Sequence, residues 1–405
     1  MVKRKIFNKI LANLEKDDIL LIIGARQVGK TTVLRALYKH LEKSGHNVHM
    51  FSLEDPMMLA DLNKHPENIF NYVHKKEGRS FLLLDEVQYL DNPTNFLKYI
   101  YDKYRQGIKI IVSGSSAFYV DAKFKDSLAG RKKIIELFPF SFSEFLLAVK
   151  EEELSAVISG HDYFQDQKKL ELLKPELTKL LRLWREYSIY GGYPKVVLEE
   201  DETEKKYYLK ELYQSFLKKD VHESGIGNEA KFFMLVKLLA AQAGQLVNAH
   251  ELSDTLDISN DTVHKYLHVL SKSYIIKLYR PFFRNIRKEL TKMPKVCFFD
   301  IGYRNSILNT FDDLMSRVDG GATLENIFFT ELIKSGISEI NYWRTQSRHE
   351  IDFIVDEKYA FEIKVNKKSF KTNKYSQFVE SYPDIRLIPV SCRDDKDPDI
   401  LDFAS

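Results

Sequence analysis

A chain of 405 residues is longer than one hydrophobic core usually organises, so two to four packed units are expected. Its formal net charge of +3 excludes a global charge excess as the mark of a nucleic-acid binder, and any basic surface has to be local. Two cysteines, Cys297 and Cys392, exclude a disulfide framework, and no apolar run approaches the ~20 residues of a membrane span, so a cytoplasmic protein without membrane contact is expected.

Residues 1–145 alternate strand and helix patterns, which predicts a three-layer α/β unit. The first strong signal is LLIIGARQVGKTTVL. Ile19 to Ile23 reads as a buried strand and Thr31 to Leu41 as a helix, with Gly24, Gly29, Lys30 and Thr31 between them fitting G-x-x-x-x-G-K-[ST]. Backbone N–H groups from Gly24 through Ala25, Arg26, Gln27, Val28 and Gly29 to Thr31 and Thr32 would surround phosphate oxygens. The helix N-terminus adds unpaired donors and a positive dipole end. ATP is the expected ligand, with Lys30 on its β- and γ-phosphates and the Thr31 hydroxyl on Mg²⁺.

FLLLDEVQYL follows, an apolar run suited to a central parallel strand and ending in Asp85-Glu86. Asp85 is expected to hold Mg²⁺ through water and Glu86 to polarise the attacking water. The next apolar strand, Ile108 to Val112, runs into SGSS. Ser115 is chosen there to orient that water or sense the γ-phosphate; Ser113 and Ser116 are the alternatives, and plain turn chemistry competes with all three. In SLAGRKKIIEL, Arg131 follows a helix end at Gly130. It is either an ordinary surface arginine or a group that neutralises transition-state charge, in cis or from a neighbouring subunit.

Residues 146–222 turn wholly helical and read as a lid, interrupted by YGGYP, a double glycine and proline that must break the helices. Residues 223–290 contain HELSDTLDISNDTVHKYLHVLSKSYII, which reads as helix, turn, helix, strand. Leu252, Leu256, Val263, Tyr266, Leu267 and Leu270 form the inner faces, and Ser259 or Asn260 caps the second helix. That helix turns Asp261, Thr262, His264, Lys265 and His268 outward, where base edges would be read. Lys277, Arg280, Arg284, Arg287, Lys288, Lys292 and Lys295 make a local basic wing, so DNA is the expected partner; a pure protein-interaction role is the alternative.

In residues 291–405, RHEIDFIVDEKYAFEIKV folds by parity into a hairpin about Asp356-Glu357-Lys358. Val355 then faces Tyr359, Phe353 faces Phe361 and Ile351 faces Ile363, while Asp352 stands opposite Glu362 with Glu350 and Lys364 beside them. Opposed carboxylates repel, and Mg²⁺ or Mn²⁺ between them would remove that repulsion, with Lys364 beside it; a half-exposed charged face is the plain alternative. Glu325, on the preceding helix, would reach this metal, and Gln377 would bind a phosphate or order the site.

In sequence order, GARQVGKTT, LLLDEVQ, SGSS, LAGR, FPFSFSEF, GGYP, MPKVCFFDIG, LENIF and YWR…EIDF…FEIKV span nearly the whole chain. Together they resemble the prokaryotic AAA-superfamily ATPases that carry a C-terminal restriction-endonuclease-like domain. The resemblance implies an AAA-type P-loop core, a helical lid, a winged helix-turn-helix and a C-terminal α+β restriction-endonuclease-like domain. It implies that Pro194 packs on the adenine. It also matches Asp352, Glu362 and Lys364 to the PD-(D/E)xK pattern with Glu325 as the helical acid; Ile351 stands where the pattern has proline. The expectation is an ATPase that binds DNA and couples nucleotide state to the C-terminal domain. A nucleotide switch with an inactive nuclease-like domain and an oligomeric loader ring are the rivals.

Overall fold

The computed structural model describes residue 2 and residues 4–74, 78–114, 128–159, 175–216, 221, 224–283, 292–345, 349–365 and 369–391. It divides into two compact units, Met1–Phe138 with Lys272–Tyr274, and Pro139–Ser271 with Ile275–Ser405. The first break falls at Phe138, ahead of the boundary expected at 145.

The first unit is built on five parallel strands: β1 (Ile19–Ile23), β2 (Asn47–Ser52), β3 (Ser80–Asp85), β4 (Ile108–Gly114) and β5 (Lys132–Glu136). Their order across the sheet is β2-β3-β4-β1-β5. All five residues of β1 are buried, which explains why ILLII shows no alternation: both faces of a parallel sheet are covered. Helix Lys30–Lys43 covers part of it with Val33, Leu34, Leu37 and Leu41, the spacing of one helical face. Helix Pro93–Tyr104 starts with proline at its first position and Asn92 as cap, whose side chain accepts from Asn95 N–H at 3.1 Å. At the amino end of β4, buried Lys109 donates to the carbonyls of Lys16 and Asp18, both at 2.5 Å.

The second unit opens with helices, as the pattern over 146–222 indicates: Phe142–Ala148, Glu152–Ser159, Leu177–Tyr190, Pro194–Val197 and Glu202–Phe216. The glycines of YGGYP do more than end a helix. A Cβ on Gly192 would strike the Phe140 carbonyl oxygen, and one on Gly302 would strike that of Tyr190. Phe140 N–H donates to Gly192 O at 2.7 Å, and the buried Asp300 carboxylate accepts from Gly192 N–H at 2.7 Å and Tyr303 N–H at 2.9 Å. FPF, GGYP and FDIG are therefore one junction in space. Pro194 opens the short helix behind it.

Helices Ala249–Leu256 and Asn260–Lys272 are joined through Asp257 in the left-handed region, and Ser259 caps the second by accepting from Thr262 N–H at 3.1 Å. The expected inner-face residues are buried, and Asp261, His264, Lys265 and His268 are exposed; Thr262 is half-buried. An antiparallel ribbon follows, β6 (Ile276–Tyr279) against β7 (Lys295–Phe298), so pairing crosses the boundary expected at 290.

The last layer is a four-stranded sheet of β8 (Ile340–Arg344), β9 (Glu350–Val355), β10 (Tyr359–Lys364) and β11 (Arg386–Ser391), ordered β11-β10-β9-β8. The β9–β10 register pairs Val355 with Tyr359 and Phe353 with Phe361, as parity indicates. Phe353 and Phe361 meet Phe328 of helix Gly320–Lys334 at ring-centroid distances of 5.7 and 5.2 Å. The opposite face is covered too: Ile354 and Ala360 share a core with Tyr375 and Phe378. On the charged side Asp352 and Glu362 are buried and Glu350 and Lys364 half-buried, so the plain alternative of a half-exposed face does not hold for the two opposed carboxylates. Among the described residues no helix is long and apolar enough to cross a membrane.

Candidate functional site

The loop after β1 is shaped from both sides. A Cβ on Gly24 would run into the Leu137 carbonyl oxygen, whereas Gly29 takes φ 98° and caps helix Lys30–Lys43. Gln27 is also left-handed, at φ 61°. The Arg4 guanidinium, buried, donates to Val28 O at 2.9 Å and to Phe138 O at 2.6 Å, fixing the loop's outer arm. Arg4 lies in an N-terminal stretch with no motif around it, and the sequence carries no signal for this role. Lys30 is only 5% exposed, and its ammonium donates to Gly24 O at 3.1 Å and Ala25 O at 2.8 Å. The ammonium thus turns back over the loop at the mouth of a helix N-terminus, the arrangement that suits an anion.

Strand order sets what stands beside this loop. Because β4 lies between β1 and β3, the carboxyl ends of the three strands are neighbours, with Ile23 in register with Gly114 and Leu84 with Val112. Asp85 is buried at the end of β3 and accepts a hydrogen bond from Ser113 Oγ; the same Oγ accepts from Glu86 N–H at 3.0 Å. Glu86 sits at φ 58° and takes a hydrogen bond on Oε2 from Gln88. Ser113 is therefore the serine of SGSS that anchors the acidic pair. Ser115 and Ser116 lie outside the described residues.

The donor set fits a magnesium nucleotide: an anion-facing helix end with a buried lysine, a loop position that only glycine fits, a hydroxyl at Thr31 and a buried carboxylate at the neighbouring strand end. Arg131 does not join it within the same chain. Ile19 N–H donates to Arg131 O at 2.8 Å, so this arginine sits at the amino end of the sheet, about 16 Å of strand from Gly24. Its guanidinium is paired with Asp102 at 2.8 Å. The in-cis reading of Arg131 is corrected by this register.

In the C-terminal sheet, Asp352 and Glu362 are buried. Asp352 Oδ2 accepts from Ile363 N–H at 2.8 Å, and Glu362 Oε1 accepts from Tyr375 Oη at 2.8 Å and from Lys364 Nζ. Tyr375, not Gln377, is the side chain its segment sends to the cluster; Gln377 is exposed. Lys295, expected on the basic wing, is instead 2% exposed and ion-paired with Glu350. Arg284, Arg287 and Lys288 lie outside the described residues. Burial pushes the carboxyls of Glu325 and Asp352 up, and burial together with the Asp352 charge pushes Glu362 up to about 7. Burial alone would lower the Lys295 ammonium, but the charges of Glu350, Glu325 and Asp352 outweigh it and raise its pKa.

These residues do not fit a metal ion as they stand. Among the described residues no three His, Cys, Asp or Glu side chains are grouped as a metal requires. Lys295 and Lys364 already bring cations to Glu350 and Glu362. Glu362 Oε2 is left buried without a hydrogen-bond partner.

Comparison with known proteins agrees with the first unit's geometry. Residues 16–146 match the family model described as an AAA domain, and residues 181–314 and 320–398 match two domains of unknown function. An uncharacterized protein of Haemophilus influenzae is 25% identical over 96% of this chain and 93% of its own length. One from Methanocaldococcus jannaschii is 28% identical over 92% and 80%. Among solved structures, the RuvB Holliday junction branch migration motor of Thermotoga maritima overlaps 68% of this chain and 89% of its own, at 15% identity and a TM-score of 0.32. Cdc6p of Pyrobaculum aerophilum overlaps 75% and 91%, at 12% identity and 0.30. Residues 16–146 thus form an AAA-type nucleotide-binding fold, on the strength of the matched model, the strand order and the loop.

Proposed function

We propose that the protein is a Mg²⁺-dependent ATPase that binds DNA through helix Asn260–Lys272. The observation that carries the reading is Lys30 at the glycine-lined helix mouth beside the Asp85–Ser113 pair. Lys30 exchanges its two loop carbonyls for phosphate oxygens, and N–H groups of the helix start hold the same anion. Bound Mg²⁺ supplies charge neutralisation, held by Thr31 and Asp85. Ser113 keeps the Asp85 carboxylate aimed and, through Glu86 N–H, holds the turn that projects Glu86 toward the attacking water. Ser115 is assigned the γ-phosphate contact, and Arg131 is assigned to the nucleotide of a neighbouring copy.

Lys30→Ala is expected to lower ATP turnover about a hundredfold or more while the thermal melt stays sharp. Phosphate release measures it, and turnover equal to the parent's removes the assignment.

A second reading is favoured by Lys295: the C-terminal domain resembles a nuclease but serves as a binding or switching module that cleaves nothing. Supercoiled and branched DNA incubated with Mn²⁺ is expected to remain intact with wild type, as with Asp352→Ala plus Lys364→Ala. Cleavage by wild type alone would restore the nuclease reading.

A further inference from the structure

A cleft of about 910 Å³ opens in the second unit between the β6–β7 ribbon, edge strand β8 and helix Ser376–Ser381. Two of its lining residues, Lys292 and Gln377, are expected from the sequence on the basic wing and at a phosphate; the ATPase site does not use the cleft. Its walls carry the rings of Phe283, Tyr342, Trp343 and Tyr382 and the cations Lys292 and Arg344, and among the described residues that line it there is no carboxylate. Aromatics make up 13% of the chain, and its 58 acids nearly equal its 61 bases, so this lining departs from the average toward rings and positive charge. Arg344 does pair with an acid, Glu350, at 3.2 Å, but Glu350 is shared with Lys295, and the three together keep one surplus positive charge.

The floor is fixed in a way that decides between occupants. Tyr342 N–H donates to Arg280 O at 3.1 Å, Tyr342 O accepts from Phe282 N–H at 2.5 Å, and Tyr342 Oη donates to Met293 O at 2.5 Å. With both backbone groups of Tyr342 taken by Arg280 and Phe282 of the segment after β6, a peptide cannot add as a strand at this residue. What stays accessible is ring surface, on half-exposed Phe283 and Tyr382, and the neutral amide of exposed Gln377. Rings next to cations, with neutral hydrogen-bonding groups between, match a chain of flat heterocycles linked by anions.

We propose that this cleft binds an unpaired stretch of nucleic acid, with bases stacked on Phe283 and Tyr382 and phosphates facing Lys292 and Arg344. Stacking along a cationic track is the sequence-tolerant chemistry that holds single strands. The volume lies at the upper end of the roughly 300–1,000 Å³ of ligand sites, which admits more than one base. The site is separate from the duplex contact assigned to helix Asn260–Lys272, and the P-loop chemistry does not depend on it.

The test is fluorescence anisotropy on the full chain with labelled single strands of about 20 nucleotides, DNA and RNA in separate arms, and a duplex of the same length. Phe283→Ala is expected to weaken single-strand binding about tenfold and leave duplex affinity and ATP turnover unchanged, and Phe283→Trp is expected to keep it. His264→Ala with Lys265→Ala is expected to do the reverse, so failure of the duplex reading and failure of this one are told apart. A 2-aminopurine base in the strand should lose fluorescence on binding wild type, a readout that needs no variant. The proposal is overturned by absence of single-strand binding, by unchanged affinity in Phe283→Ala, by unquenched 2-aminopurine, or by polyglutamate of equal charge displacing the strand as well as unlabelled DNA does.

Discussion

Lysines at three positions show how the same side chain is read differently by its surroundings. Lys30 follows a glycine at a helix mouth, and its motif alone names its place. Lys364 alternates with Glu362 on a strand, and parity puts the two on one face. Lys295 shows no such sign: in MPKVCFF it looks like the end of a basic wing, and only the sheet behind it reveals that it is enclosed with Glu350. Burial of a charge depends on partners far away in sequence, and no local pattern encodes it. Ser113 was legible as one of three serines, and its register against Asp85 singles it out. Lys295→Met should uncover the consequence. Removing one partner of a buried pair is expected to destabilise by about 3–5 kcal/mol, less here because Arg344 still faces Glu350, and adding Glu350→Gln should recover part of it. In an Asp85→Asn background, calorimetry should show Lys295→Met taking up Mn²⁺ about tenfold more tightly than its parent. Equal affinity would mean that the ammonium does not compete with a divalent ion.

The elements were legible in proportion to their periodicity. The β9–β10 hairpin declares its register because a one-residue slip would mix apolar and charged sets. That its second face is also covered was not legible, since Tyr375 and Phe378 come from a short segment without a helical stripe of its own. Strand β4 holds a different surprise. An apolar run with Lys109 near its start reads as a strand beginning at the surface, yet the lysine is enclosed and caps two carbonyls of the turn before β1. Burial, with the nearby Arg79 charge, lowers its ammonium to about 8. A depressed folded value means that this group's share of stability is present above the unfolded value near 10.5 and is lost as pH falls through about 8. Relative to Lys109→Met, wild type should therefore gain stability between pH 8 and 10.5. Denaturant melts across that window measure it, and parallel curves would show that the amine is not perturbed.

At the scale of the molecule, two compact units fit the multi-core expectation from length, although their division at Phe138 was not marked by any linker composition. The chain passes from one to the other within ELFPFSFSEF, where no Gly or Ser-rich tract announces a boundary. Calorimetry is expected to show the transition of the unit that carries Lys30 rising when ATP analogue and Mg²⁺ are added. The rise should correspond to about 2.7 kcal/mol at a hundredfold excess over Kd. A nucleotide that moves neither transition would remove the binding reading altogether.

The junction of Phe140, Gly192, Asp300 and Gly302 also bears on how such a chain can change over time. Two positions in it have no room for even a methyl group, and each is blocked by the main chain of another, so a side chain cannot make way by rotating. A library of random single substitutions should accordingly show narrow intolerant windows far apart in sequence, at residues that touch no ligand. Drift in the surrounding helices would have to leave that knot of backbone untouched.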